Sequence, residues 1–215
     1  MSLVQNSFAS DAYTEANHRI ANHLSIVASI LRLEQEAVLR TPTLTPERAY
    51  AVLEECGRRI EAIARIHQLL SQRDPLRPSV ELGEYLRETA ENILSGVSAF
   101  GRNRLRFVCP EPLPTRAEDA VPLGLIVGEL VTNAVKYAHP SGVRGAICVS
   151  CQREADGATV VAVCDDGVGL PEGFDPHSGR DSVGFRLILA LAQRMRAKVE
   201  FDNSCLGLSV TIRVP

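Results

Sequence analysis

Two runs of apolar residues at helical spacing fill the first third of the 215-residue chain. Amphipathic helices of this kind need a partner surface before they are stable. Between about Asp11 and Leu70 the periodic positions are Ile20, Leu24, Val27 and Leu31, then Leu53, Cys56, Ile60, Ile63 and Leu70. The segment TPTLTPE separates the two runs. Pro42 cannot continue a helix, whereas Thr45 and Pro46 supply an N-cap and a first-turn proline for the next one. The pattern predicts an antiparallel helical hairpin. Two helices alone leave apolar surface uncovered, and a second copy, closing a four-helix bundle, is the simplest cover.

RDPLRPS, residues 73–79, reads as a proline-marked linker. It divides the chain into a helical part, residues 1–74, and a second part, residues 79–215. In the second part the spacing predicts helices over 80–94, 121–138 (with Pro122 near its start) and 184–195. Strands are expected over 105–109, 146–152, 159–164, 199–203 and 208–214, with a turn at Ala155, Asp156 and Gly157. Such a mixture implies an α+β sandwich, with helices on one face of a mixed sheet.

Hydrophobic residues make up 45% and charged residues 23%, which excludes disorder as the main state. A net charge of −3 gives no electrostatic case for nucleic acid or a membrane surface. No apolar run reaches the roughly 18 residues a membrane span needs. The start, MSLVQNSFASDAY, lacks the basic and apolar regions of a signal peptide, so the cytoplasm is the expected compartment. Cys148 and Cys151 form a C-x-x-C within a predicted strand. Positions three apart on a strand face opposite ways, so the six cysteines read as reduced thiols rather than a zinc site.

Two segments of the second part carry chemistry. In GELVTNAVKYA, residues 128–138, helical spacing puts Glu129, Asn133, Lys136 and Tyr137 on one face. A carboxylate, an amide and an ammonium there suit a metal–phosphate group; a solvated helix face is the plainer alternative. In VVAVCDDGVGLPEGF an apolar strand ends at Asp165, and Gly167 and Gly169 come next. A strand-end carboxylate can accept a hydrogen bond from a base amine, and glycines allow close backbone approach. After a polar loop, Gly184 opens a helix, a natural phosphate site.

In this order the segments resemble the GHKL ATP-binding domain, through E-x-x-x-N-A-x-K-Y, D-x-G-x-G after a strand, a short lid, and glycine before a helix. The resemblance implies a GHKL α/β sandwich that binds ATP and Mg2+. It implies that Asn133 coordinates Mg2+, Lys136 meets phosphate and Asp165 binds the adenine amine. Gly167 and Gly169 would shape the pocket floor and lid hinge. Tyr137 and Gly184 join the nucleotide-binding set, and Glu129 the catalytic one.

EANHRIANHLSIVASILRLEQE, residues 15–36, resembles the phosphoacceptor box of the type-2 histidine-kinase dimerisation domain, E-x-H-H-R-x-x-N-N-L-Q. Glu15, His18, Arg19, Asn22 and Leu24 match; Asn17 and His23 replace a histidine and an asparagine. With His18 at zero and about 100° per residue, Asn22, Ser25 and Ser29 fall within about 40° of it. The apolar positions Ile20, Leu24, Val27 and Leu31 cluster at about 180–240°, and His23 lies at about 140°, against that stripe. His18 is therefore the expected acceptor, on the polar side, and His23 and His67 are structural.

The resemblance implies an ATP-dependent protein-histidine kinase that phosphorylates His18 and passes the group to an aspartate of a response-regulator receiver domain. Arg19 would hold the phosphoryl group, Glu15 would orient the imidazole, and Asn22 completes the expected catalytic set. A homodimer is expected, with a separate sensor protein as a possible input, because the roughly ten residues before Asp11 are too few for a sensor domain. Two departures leave alternatives open. Ser182-Val183-Gly184 stands where a G-x-G is usual, and Gly207-Leu208-Ser209 replaces the last glycine box. They admit a histidine phosphotransfer protein with a degenerate ATP site, or a non-catalytic GHKL binding module. The absence of tryptophan favours the type-2 class over its sister HWE class.

Overall fold

The computed structural model describes residues 2–40, 43–71, 79–96, 103–141, 143–178, 182–203 and 206–215. Within its helices, the side chains of residues 2–16, 18, 19, 65–71 and 96 lie outside the description. The chain divides into two compact units: Met1–Val80 with Thr115–Val121, and Glu81–Pro114 with Pro122–Pro215.

The first unit is built on helices α1 (Ser2–Leu39) and α2 (Pro46–Ser71). α1 starts earlier than the expected Asp11. Pro46 opens α2 as predicted, and Thr45 caps it. Thr45 Oγ1 accepts the Arg48 N–H at 3.3 Å, and the Thr45 carbonyl accepts the Ala49 N–H at 2.9 Å. The buried face of α1 differs from the expected one, whereas Cys56 and Ile63 of the expected α2 set are buried. His23, Ile26, Ile30 and Glu34 of α1 are buried, as are Cys56, Arg59 and Ile63 of α2. Ile20, Leu24, Leu31, Leu53 and Ile60 are exposed instead. The helices therefore carry two neighbouring apolar stripes, and the hairpin covers one of them. Inside it, Arg59 Nη1 meets Glu34 Oε1 at 2.5 Å, with side chains only 5% and 9% exposed, and Arg59 Nη2 lies 3.6 Å from Glu55 Oε1.

A short strand stands where a helix start was expected. β1 (Ser79–Glu81) pairs with β3 (Pro114–Arg116), and α3 (Leu82–Gly96) follows β1 directly. Glu81 sets that start: its Oε2 accepts the Glu84 N–H and its Oε1 the Leu113 N–H, both at 2.7 Å. These bonds satisfy an orphan donor of the first helical turn, which a valine in the same place cannot do.

The main sheet has the order β2-β4-β5-β7-β6, from β2 (Arg104–Val108), β4 (Ala146–Arg153), β5 (Thr159–Asp165), β6 (Lys198–Asp202) and β7 (Ser209–Val214). β2 runs parallel to β4 with Leu105 opposite Ile147, and the other pairs are antiparallel. One face buries Ile147, Val149, Cys151, Val161, Val163, Val210 and Ile212, while the alternate positions are half-buried or exposed. Leu82 and Leu86 of α3, Leu123, Ile126 and Val127 of α4 (Ala117–Asn133), and Leu187 and Ile188 of α5 (Val183–Arg194) complete the buried aliphatic layer. This is the expected α+β sandwich on a mixed sheet. The β4–β5 turn closes at Gly157, φ +92°, where a side chain would be strained.

α4 begins four residues before the expected 121, at Ala117, because Glu118 and Asp119 in its first turn complement the helix dipole. It ends in a π-helical turn, Ala134–Ala138. Cys148 and Cys151 lie on opposite faces, half-buried and buried. Among the described residues no cluster of metal-ligating side chains forms, and no helix is long and apolar enough to cross a membrane.

Candidate nucleotide site

The end of β5 organises one half of the site. Asp165 Oδ1 accepts the Gly167 N–H at 2.9 Å and the Leu208 N–H at 3.3 Å. Among the described residues Oδ2 has no partner, so one carboxylate oxygen is fixed by backbone and the other remains for an incoming donor. Two glycines make this geometry possible. A Cβ on Gly167 would overlap Ala138, and one on Gly207, at φ +81°, would overlap the Asp165 carbonyl. Gly169, at φ +70°, lies against Asn203.

The other half lies on α4 and the start of α5. Glu129 is buried and Asn133 half-buried. The Asn133 Nδ2 is itself buried without a hydrogen-bond partner among the described residues. Buried polar atoms are normally satisfied, so this orphan is an exception that calls for an explanation. Gly184 comes close to both side chains. A Cβ there would sit 2.9 Å from Glu129 Oε2, 3.6 Å from Ser182 Oγ and 3.7 Å from Asn133 Nδ2. Glycine thus keeps the N-terminal turn of α5 open beside an unsatisfied amide. Ser182 caps α5, accepting the Phe185 N–H at 3.5 Å. The serine in place of a glycine therefore leaves the helix start intact.

The π-helical turn corrects the expectation that Lys136 and Tyr137 share one regular helical face with Glu129 and Asn133. An i→i+5 turn inserts an extra residue and rotates the side chains beyond it. Lys136 and Tyr137 are exposed, Tyr137 by 66%, while Glu129 is buried. The polar loop after Gly169 is folded over its described length. Phe174 packs on Phe185 at 5.2 Å between ring centroids, and His177 on Phe201 at 5.1 Å.

Sequence reasoning missed a His–Asp pair beside the site. His139 Nε2 and Asp166 Oδ1 are 2.8 Å apart, and the same oxygen accepts the Ala146 N–H at 2.7 Å. The Ala146 N–H, followed by His139, holds the Asp166 carboxyl below the usual carboxylate range. Asn203 was missed as well. Its amide accepts the Leu170 N–H at 2.7 Å and donates to the Leu170 carbonyl at 3.3 Å.

On the hairpin, Glu15, His18 and Arg19 lie on the α1 backbone, with side chains outside the described residues. Asn22 is half-buried, and His23 is buried at 3% exposure, on the stripe of Ile26 and Ile30 rather than beside the expected one. The side chain of His67 lies outside the described residues.

Two family models match the chain. One, described as histidine kinase, covers residues 15–97; the other, described as histidine kinase-, DNA gyrase B-, and HSP90-like ATPase, covers residues 118–215. The chain carries a histidine-kinase domain followed by an ATPase-family domain. Among curated relatives, sensor histidine kinase PdtaS of Mycobacterium tuberculosis is 32% identical over 213 residues, spanning 94% of this chain and 38% of the relative. Blue-light-activated histidine kinase 2 of Erythrobacter litoralis is 26% identical over 207 residues, 94% of this chain and 56% of that one. The chain thus spans 38% to 56% of the length of these relatives. The solved histidine kinase domain of a blue-light-activated kinase from Erythrobacter litoralis superposes with a TM-score of 0.68 at 20% identity, over 94% of both chains. A longer structure of that kinase gives a TM-score of 0.70 at 26% identity, over 94% of this chain and 58% of that one. The ATPase-family domain carries the ATP-binding fold.

Proposed function

We propose that the chain is an ATP-dependent protein-histidine kinase of a two-component system. It phosphorylates itself on His18 and passes the phosphoryl group to an aspartate of a response-regulator receiver domain. The observation that carries this reading is the unsatisfied Asn133 amide, held beside Glu129 and the glycine-opened N-terminus of α5. The orphan Nδ2 is a donor that suits a phosphate oxygen, the Oδ1 of the same side chain suits Mg2+, and the open oxygen of Asp165 suits the adenine amine. Lys136 supplies a cation for phosphate, Tyr137 an aromatic face for the nucleotide, and Gly167 and Gly169 the pocket floor. Mg2+, when bound, neutralises charge on the phosphates.

The chemistry asks mainly for positioning. Neutral imidazole, with an ordinary pKa of about 6.5, is a competent nucleophile at neutral pH. The His18 nitrogen attacks the γ-phosphorus, the bond to the β–γ bridging oxygen breaks, and ADP leaves. Glu15 orients the ring and accepts the proton released from it, Arg19 holds the phosphoryl oxygens, and Asn22 extends the polar face one turn on. Residues 1–74 serve as the dimerisation and phosphotransfer hairpin, and residues 79–215 as the catalytic domain. The exposed stripe of Ile20, Leu24, Leu31, Leu53 and Ile60 supports a homodimer in which a second hairpin covers it. The expected setting is the cytoplasm. Incubation with γ-labelled ATP gives an acid-labile, alkali-stable phosphoprotein that is lost in His18→Ala. Full labelling of that variant would overturn the assignment of the acceptor.

A further inference from the structure

The two backbone donors that aim Asp165 come from different segments. Gly167 lies in the loop after β5, and Leu208 lies just before β7. Each segment is tied by one side chain that belongs to no nucleotide-binding motif. At the first end, Asp166 Oδ1 joins His139 Nε2 and the Ala146 N–H, and the Val168 N–H donates to the Ala138 carbonyl at 2.9 Å. The His139 ring rests directly on Gly145, where any Cβ would overlap it. The loop after β5 is thereby joined to the end of the π-helical turn that carries Lys136 and Tyr137. At the second end, Asn203 uses both halves of its amide on the backbone of Leu170, and glycine at 169 makes room for it. Asn203 comes after β6 and Leu208 precedes β7, so this amide ties the same loop to the connection that holds Asp165 from the other side.

We infer that His139, through Asp166, and Asn203 are positioning residues that clamp the purine-side loop at both ends and fix the direction of the Asp165 carboxylate. The inference rests on the ATP-site reading above and extends it to side chains that touch no nucleotide. The clamp acts on binding of the adenine nucleotide rather than on phosphoryl transfer. Loss of either end lets the Gly167 or Leu208 donor drift and leaves Asp165 to sample other rotamers. Pre-organisation of this kind appears directly in affinity.

The test is calorimetric titration of the full chain with Mg-ADP, with ATP-dependent autophosphorylation measured alongside. His139→Ala and Asn203→Ala each weaken Mg-ADP binding at least fivefold at unchanged stoichiometry. In autophosphorylation the loss falls on KM for ATP, with kcat within threefold of the parent. His139→Gln places an amide N–H near the position of Nε2 and restores affinity to within twofold. A merely structural role would lower the binding-competent fraction at unchanged Kd, and that result overturns the proposal. Affinities within twofold of the parent for both alanine variants overturn it too, as does a glutamine variant as weak as the alanine one. If His139→Ala fails to fold, the Asn203→Ala and His139→Gln titrations decide. A parent chain that binds no Mg-ADP would remove the ATP-site reading itself, an outcome distinct from all of these.

Discussion

Replacing Asp165 by asparagine isolates the purine contact from the fold. In the parent, Oδ1 takes the N–H groups of Gly167 and Leu208, and Oδ2 is open. Asparagine is nearly isosteric, and its single oxygen can keep both backbone donors. The second position then becomes an amide nitrogen, which presents a donor where the adenine amine also donates. The loss is a hydrogen bond to a charged acceptor, worth about 1.5–3 kcal/mol. At 1.4 kcal/mol per decade this predicts Mg-ADP binding weakened about 12- to 140-fold. Calorimetric titration measures the affinity, and thermal melting of the nucleotide-free variant shows that the fold survives. A Kd within twofold of the parent, with the melt intact, would show that Asp165 does not meet the base and would refute the reasoning.

Buried and titrating groups give further consequences. Glu34→Ala takes from the buried Arg59 its nearer carboxylate and leaves Glu55 at 3.6 Å, at a cost of up to about 3–5 kcal/mol in urea unfolding, whereas an apolar pair of similar volume at Glu34 and Arg59 is neutral or stabilising. A single-variant loss below about 1 kcal/mol would show that Glu55 or water serves the guanidinium as well as Glu34 does. Asp166 is held below its ordinary range by the Ala146 N–H and His139, so its contribution is present above the unfolded carboxyl pKa and fades as pH falls through the lowered folded value. Asp166→Asn therefore flattens part of the acid limb of stability below about pH 4, read as urea midpoints against pH. Burial, reinforced by a hydrogen bond with Cys109, pushes the Cys151 thiol far up. Cys151 resists iodoacetamide at about pH 8 in the folded chain and reacts once unfolded, as peptide mapping would show.

Long-period features were legible in the sequence, and features that depend on tertiary pairing were not. The hairpin, its Thr45 cap, the five long strands and α5 arise from spacing, capping and turn residues that act locally. The two-residue shift at the start of α3 does not, because Glu81 is fixed partly by Leu113, which is remote in sequence. The choice of buried stripe was missed for a related reason. Ile20 and Leu24 are as apolar as Ile26 and Ile30, and only the packing of α2 and the Glu34–Arg59 pair select the second set. At the candidate site, the motif positions Asp165, Asn133 and Gly184 could be singled out from sequence because each has a chemical reason to be in its place. The π-helical turn was invisible because Ala-Val-Lys-Tyr-Ala carries no signal against a regular helix. His139–Asp166 and Asn203–Leu170 join residues 27 and 33 positions apart, so no local pattern announces them.

The central claim is that this chain uses its own nucleotide site to load a phosphoryl group onto one helical imidazole. Peptide mapping by mass spectrometry at neutral pH, after incubation with Mg-ATP, tests it most directly. The account predicts one phosphohistidine, at His18, absent when Asp165→Asn is assayed at ATP well below its weakened Kd. Phosphate on His23, on another residue, or nowhere in a chain that binds Mg-ATP would contradict it.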